Sequence, residues 1–512
     1  MAFRSKTAGL SAAALTAVAL IAAFTHVQGR GGTEGELASG VADPQEQGGS
    51  RGELPDPPRF ADVTVHDPSI VVAEDEYWVF GSHLAAAKTE DFISWEQTAE
   101  LVTPENPLFD DVTEELSEAL EWAETTTLWA PDVIQLSDGR YYMYYNACQG
   151  ESPRSAMGVA VADEVDGPYE DLGVFLRSGH RAGEGSSEDG TPYDPRIHPN
   201  AVDPDVFYDD EGTLRMVYGS YSGGLFMLEM DEETGMPLAG QGYGTHLMGG
   251  NHSRIEAANI LHHPDTGYYY LFTTFGGLDA DGGYNMRVAR AQTPEGPYFD
   301  AEGNDMREVK ADPSLPIFDD ATIEPFGTKL MGNFLFQREA GDPGRGIGYG
   351  YVSPGHNTSY LDPDTGRMQL IFHSRFPERG EMHQVRSHEM FMNAHGWPVV
   401  APYRFAGAEA GQVHQADAVG EYRFINHGKA ISSDINEAVT VELHDDGRIT
   451  GGVEGGWELD GQNRVDLTID GEPYNGVFTP QWDPTSESWV LTFSVLSQAG
   501  VSLWGSKVEP LL

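Results

Sequence analysis

The chain of 512 residues carries 81 acidic against 30 basic side chains, a formal net charge of −51, so its surface repels nucleic acid and anionic membranes. A single cysteine, Cys148, excludes an intrachain disulfide framework and leaves core packing or metal to supply stability. The acidic residues are scattered, which reads as a solvated shell of the kind found in salt- or alkali-adapted secreted proteins.

Residues 1–29, "MAFRSKTAGLSAAALTAVALIAAFTHVQG", place Arg4 and Lys6 before an Ala/Leu/Val run, the pattern of a secretion signal. The run is shorter than a membrane span requires, although its poor cleavage site leaves an uncleaved anchor as the alternative. The mature protein is expected outside the cytoplasm, soluble, free of membrane once the signal is removed, and monomeric. Residues 30–57 are rich in Gly, Glu and Pro, nearly devoid of large apolar side chains, and predict a disordered linker.

From 58 to about 405 the pattern is that of an all-β protein. Aromatic and β-branched runs such as "YWVFGS", "YYMYYNA", "LRMVYGSY" and "YYYLFTTF" each follow a turn marker such as "SDGR" or "PDTG", as second strands of hairpins do. Cys148, at the end of one such run, reads as a buried strand residue. Five stretches align: "VHDPSIVVAEDEYWVFGS", "WAPDVIQLSDGRYYMYYNA", "AVDPDVFYDDEGTLRMVYGSY", "IEAANILHHPDTGYYYLFTTF" and "GHNTSYLDPDTGRMQLIFHSRF". Their uneven spacing suits blades of a five-bladed β-propeller, with a sandwich of similar hairpins as the alternative.

In a propeller the start of each innermost strand faces one channel mouth. Asp67, Asp132, Asp203 and Glu256 occupy that place in four successive repeats and are expected to share one pocket. Clustered carboxyl groups cannot all ionise easily, so one becomes an acid and another a base. With no evident Ser/His or Cys/His arrangement, the chemistry that needs such a pair is glycoside hydrolysis. Trp129 would offer a flat apolar face to a sugar ring, with Asp132 a further substrate contact.

The motifs "VHDPSI", "WAPDV", "HPNAVDPDVFYD", "RIEAANI", "GGYNMRVARA", "GYVSPGHNTSY" and "FHSRFP" resemble glycoside hydrolase family 43 over about 60–405. Within that family the likeness is to extracellular endo-α-1,5-L-arabinanases with an added C-terminal β domain. The resemblance implies an inverting hydrolase of arabinan and arabino-oligosaccharides. In it Asp67 is the general base, Glu256 the general acid, and Asp203, rather than its rival Asp205, the third carboxylate. It also implies one calcium ion in the channel with His356 as its protein ligand. His66, His83, Ser220 and Arg375 are further candidates for pocket or sugar contacts. Ala258 and Asn259 depart from the residues usual after the acid, which bears on the sugar-binding surface there. An exo-acting arabinofuranosidase or xylosidase of the same family, or a non-catalytic glycan-binding propeller, are the alternatives.

Residues 178–200 read as a polar loop beside Asp203, either a cleft wall or a surface insertion. From 410 to 512, alternating strands joined by Asp-Gly turns predict a small antiparallel barrel or sandwich, a buttress for the propeller or a polysaccharide binder.

Overall fold

The computed structural model describes residues 54–511; the expected signal and all of the expected linker but its last few residues lie outside them. Five four-stranded antiparallel meanders follow one another in chain order. Their innermost strands are Ser69–Ala73, Asp132–Gln135, Asp205–Tyr208, Ile255–His263 and Gly348–Leu361. Each predicted aromatic run is the second strand of its blade, and the strand Tyr141–Cys148 is buried along its whole length. A blade packed on both faces by its neighbours has no solvent side, so its middle strands read as continuous apolar runs rather than as an alternation. The hairpin before that strand turns at Gly139, whose φ of 84° lies in the left-handed region and whose N–H donates to Leu136 O at 2.9 Å.

The propeller closes without a strand shared between its first and last blades. Blade one is built only from residues 69–99 and blade five only from 348–400, apart from the added strand described below. The joint is made by the segment before blade one lying along blade five. Val385 N–H donates to Val63 O at 3.2 Å, and Asp62 accepts from Arg386 and Arg404 at 3.2 and 2.7 Å. Val63, Val65 and Val79 share one apolar cluster with Ile371, Val385 and Phe405.

Between blades four and five the chain adds the strand Phe334–Gln337, which pairs with the first part of Gly348–Leu361 and extends that sheet. This segment accounts for the long last spacing of the repeats. Its far edge is covered by Asn436–Glu437 from the C-terminal domain, paired parallel to it, and a covered edge cannot recruit another chain.

Residues 420–510 form a closed eight-stranded barrel, with Gly420–Asn426 paired to Ser502–Pro510, so the barrel rather than the sandwich is realised. Its interior is filled by Tyr422, Trp457, Leu467, Phe478 and Phe493 among others. Its outer face packs on blade five: Trp504, Ile425 and Val477 join Phe334, Phe336 and Tyr403 in one core. The end of the expected linker is not loose. Leu54 packs with Trp482 and Trp489, and Trp489 Nε1 donates to Pro55 O at 3.1 Å. Among the described residues no helix is long and apolar enough to cross a membrane.

Candidate active site

A cavity of about 430 Å³ opens at one mouth of the propeller, lined by Asp67, Asp203, Glu256, His356, Trp129, His83 and Arg375 with several neighbours. Three of these four strand-start residues take a left-handed backbone: Asp67 φ 57°, Asp203 φ 54°, His356 φ 49°. In blade four the left-handed residue is Ala257, φ 56°, immediately after Glu256. Non-glycine residues adopt this region rarely, and such strain gathers at functional sites. Here it turns the chain once at the start of the inner strand and sends the side chain into the channel. Pro68 and Pro204, following Asp67 and Asp203, deny those residues the right-handed helical alternative.

Asp132 does not reach the cavity, correcting its expected role as a substrate contact. The matching position in blade two is Ala130, two residues earlier, and Asp132 aligns instead with Ser69, Asp205, Asn259 and Ser359. These five form a second layer that joins the blades. Asp132 accepts from Ser69 Oγ of blade one and from Val206 N–H of blade three at 2.7 Å. Asp205 accepts from Asn259 Nδ2 at 2.7 Å and Ile260 N–H at 3.0 Å, and Asn259 Oδ1 accepts from Ser359 Oγ. Asp205 is thereby occupied in structure, which leaves Asp203 as the carboxyl of that blade in the cavity.

Asp67 is clasped by hydrogen-bond donors. Ser82 Oγ donates to Oδ2 at 2.5 Å, His66 Nδ1 lies 2.7 Å from the same oxygen, and His356 Nδ1 lies 3.0 Å from Oδ1. Its own N–H donates to His373 Nδ1 at 3.2 Å, and His373 stacks on His66 with ring centres 3.9 Å apart. Burial opposes ionisation of Asp67, but His356 and His66 outweigh it and hold its pKa well below the usual carboxylate range. Burial keeps His373 neutral, as an accepting Nδ1 requires.

Glu256 has the opposite balance. Ser220 Oγ donates to Oε2 and Tyr284 Oη to Oε1, each at 2.6 Å, yet burial dominates and raises its pKa. Asp203 is pushed up to about 8, first by burial and then by the charges of Glu256 and Asp67. The Asp203/Glu256 pair therefore retains a proton at neutral pH while Asp67 is ionised. Burial works against a proton on His356, but Asp67, Asp203 and Glu256 override it and lift its pKa to about 9.

The remaining candidates divide. Trp129 and His83 stand at the wall, His83 in a left-handed conformation with its Nδ1 against Thr127 Oγ1. Arg375 lines the cavity, ties its Nε to Glu381 Oε2 at 2.6 Å, and leaves Nη1 without a partner among the described residues. Ser220 acts through Glu256 rather than lining the cavity. No residue of 178–200 lines it either; that loop is bound to the protein surface by ion pairs such as Arg181–Glu124 and Arg154–Glu184. Tyr284, Ser82 and His373 were not singled out from the sequence. Tyr284 stood in the motif "GGYNMRVARA", where the Gly-Gly pair before an aromatic residue was the available signal.

An ionised carboxylate and a protonated carboxyl facing one channel mouth define an acid/base hydrolase site on a five-bladed propeller. The chain belongs to glycosyl hydrolases family 43: that family's model matches residues 60–320, and a C-terminal lipocalin-like domain of the same family matches 402–505. It is 56% identical to the extracellular endo-α-(1→5)-L-arabinanase 2 of Bacillus subtilis over 450 residues, 88% of this chain and 94% of that protein. It is 49% identical to the extracellular endo-α-(1→5)-L-arabinanase of Thermotoga petrophila, covering 88% and 95%. Among solved structures, a family 43 glycoside hydrolase of Bacillus licheniformis superposes with a TM-score of 0.85 at 56% identity, covering 88% of this chain and all of that one. The Thermotoga petrophila endo-1,5-α-L-arabinanase superposes at 0.84 with the same coverage.

Proposed function

We propose that this protein is an extracellular endo-α-1,5-L-arabinanase that cleaves with inversion. The observation that carries the reading is that Asp67, clasped by donors that favour its ionised form, shares one mouth with Glu256, whose burial favours its protonated form, and the names of the two relatives supply the substrate. Ionised Asp67 accepts a proton from the attacking water. Glu256, protonated, donates to the departing glycosidic oxygen, with Ser220 and Tyr284 fixing both its oxygens. Asp203 shares the proton of that pair and holds it available. Trp129 supplies an apolar face for the sugar. Inversion requires base and acid roughly 6.5–9.5 Å apart so that a water fits between them, a spacing that opposite sides of a propeller mouth can provide.

A calcium ion belongs to the same reading. Three carboxyl groups gather around one imidazole, and the negative potential they create, which otherwise holds a proton on His356, would favour a cation at Nε2 in that proton's place. His356 would be the direct protein ligand and water would complete the shell that so oxygen-seeking a cation takes. The ion would supply positive charge beneath the carboxylates. Calorimetric titration with calcium should show one site in the intact protein and none in His356→Ala.

The function is tested by incubating the protein with linear and branched arabinan, sizing the products, and following the anomeric signal of the new end by NMR. Mixed oligosaccharides appearing first, with inverted configuration, bear the reading out. Release of arabinose alone from the first moment would transfer it to an exo-acting enzyme, and no release from either polymer would overturn it.

A further inference from the structure

On the acid side of the mouth, outside the cavity, the protein exposes apolar side chains for which the reaction as described has no use. Ile317 and Phe318 are 64% and 45% exposed. Phe318 also holds φ at 67°, and a bulky residue in that region is an outlier that persists only where its surroundings impose it.

Those surroundings lead back to the catalytic acid. The Phe318 ring lies 5.6 Å from that of Tyr221 and 6.3 Å, edge-on, from that of His252. Tyr221 follows Ser220, the donor to Glu256, and its own hydroxyl donates to Gly276 O at 3.0 Å. Two residues beyond Phe318, Asp320 accepts from Arg254 Nε at 3.1 Å. Arg254 in turn packs so closely on Gly277 that a Cβ there would lie 2.6 Å from its Nη1. Leu278, next in the chain, lines the cavity. The exposed patch is therefore linked, through Tyr221 and Arg254, to the part of the cavity wall that carries Glu256 and Leu278.

That position fixes which part of a substrate it would meet. The acid delivers its proton to the oxygen of the departing portion, so the leaving chain extends on the side of Glu256. A furanose ring presents C–H groups on one face, and an exposed aromatic ring is the surface on which such a face packs.

We propose that Phe318, with Ile317 beside it, is a platform for a distal arabinofuranosyl unit of the leaving chain and sets the enzyme's preference for long over short substrates. This rests on the arabinanase reading. The measurement is kcat/KM on α-1,5-arabino-oligosaccharides from trisaccharide to octasaccharide. Phe318→Ala should lower the octasaccharide-to-trisaccharide ratio by about three- to tenfold, the cost of one lost stacking contact. Phe318→Trp should preserve it, and Ile317→Ala, at a site too exposed to disturb folding, should lower it by a smaller factor. Leu172→Ala, about as exposed as Phe318 but on the outermost strand of blade two, should leave it unchanged. An unaltered ratio in Phe318→Ala, or an equal loss at every length, overturns the platform while leaving the arabinanase reading intact. An unmodified protein inert on every oligosaccharide overturns both.

Discussion

Tyr284 Oη lies 2.6 Å from Glu256 Oε1, so a phenol just before the third strand of blade four, Asn285–Ala291, holds one oxygen of the proposed catalytic acid. Its hydrogen bond favours the ionised carboxylate and opposes the burial that raises the pKa of Glu256. Removing it lets the pKa rise further. In Tyr284→Phe the basic limb of the kcat/KM profile, where the acid loses its proton, should therefore move to higher pH. Turnover at the optimum should fall about tenfold as the carboxyl loses its orientation. A basic limb unmoved in the variant would separate Tyr284 from the titration of Glu256.

Asp67→Ala and Glu256→Ala should each reduce hydrolysis of linear arabinan by about 10²–10⁴-fold while the far-UV spectrum stays unchanged. The two losses should differ in kind. An aryl arabinoside, whose leaving group needs little protonation, should partly restore turnover to the Glu256 variant and not to the Asp67 variant. Equal rescue of both would exchange or dissolve their roles.

Asp132→Ala should act on stability and not on substrate binding. It deprives Ser69 and the Val206 N–H of their acceptor between three blades, a loss of about 2–4 kcal/mol for a buried, multiply bonded group. Denaturant unfolding should register it, while KM for arabinan changes less than twofold. A raised KM with unchanged stability would return Asp132 to the substrate.

The barrel should be needed for the propeller to fold. Buried Arg287 donates to Lys429 O at 2.6 Å and buried Lys329 to Ala430 O at 2.7 Å, carbonyls of the barrel's first loop. Burial already depresses their pKa values to about 9 and about 7, so without that loop both groups would lose an acceptor they hold in the native fold. A chain ending at residue 408 should be insoluble or lack a cooperative thermal transition. A soluble truncated protein that melts cooperatively at the full-length temperature would show the loop to be dispensable.

The five hairpins, the order of the blades and the residues at the mouth were legible because turn markers and aromatic runs are local signals. Asp132 misled because side chains two residues apart share a face of a strand: it faces the same axis as Asp67 but one layer down, and nothing local distinguishes the layers. The bulges at Glu256–Asn259 and Gly355–Asn357 add residues that blur the same register. Tyr284 and His373 escaped notice because they come from just before a third strand and from the end of a second, and reach the site only through packing. The choice between barrel and sandwich hangs on Gly420–Asn426 meeting Ser502–Pro510, a pairing of distant segments that no local pattern encodes.

The joint between blades one and five runs directly past Asp67, the proposed base. Asp67 is carried by blade one, yet its N–H is held by His373 and its carboxylate by His356, both of blade five. The ring is thus a bracelet whose clasp is also its working part. Slight opening there would part Asp67 from its two histidines while nearly every strand kept its partners. Heat inactivation should therefore set in several degrees below the loss of β-structure seen by circular dichroism and reverse on cooling, whereas coincident curves would mean that the clasp opens only as the whole protein unfolds. Hydrogen exchange at the Val385 amide, which bonds across the same joint, would time the event. An enzyme closed in this way would be switched off at its clasp before it is destroyed.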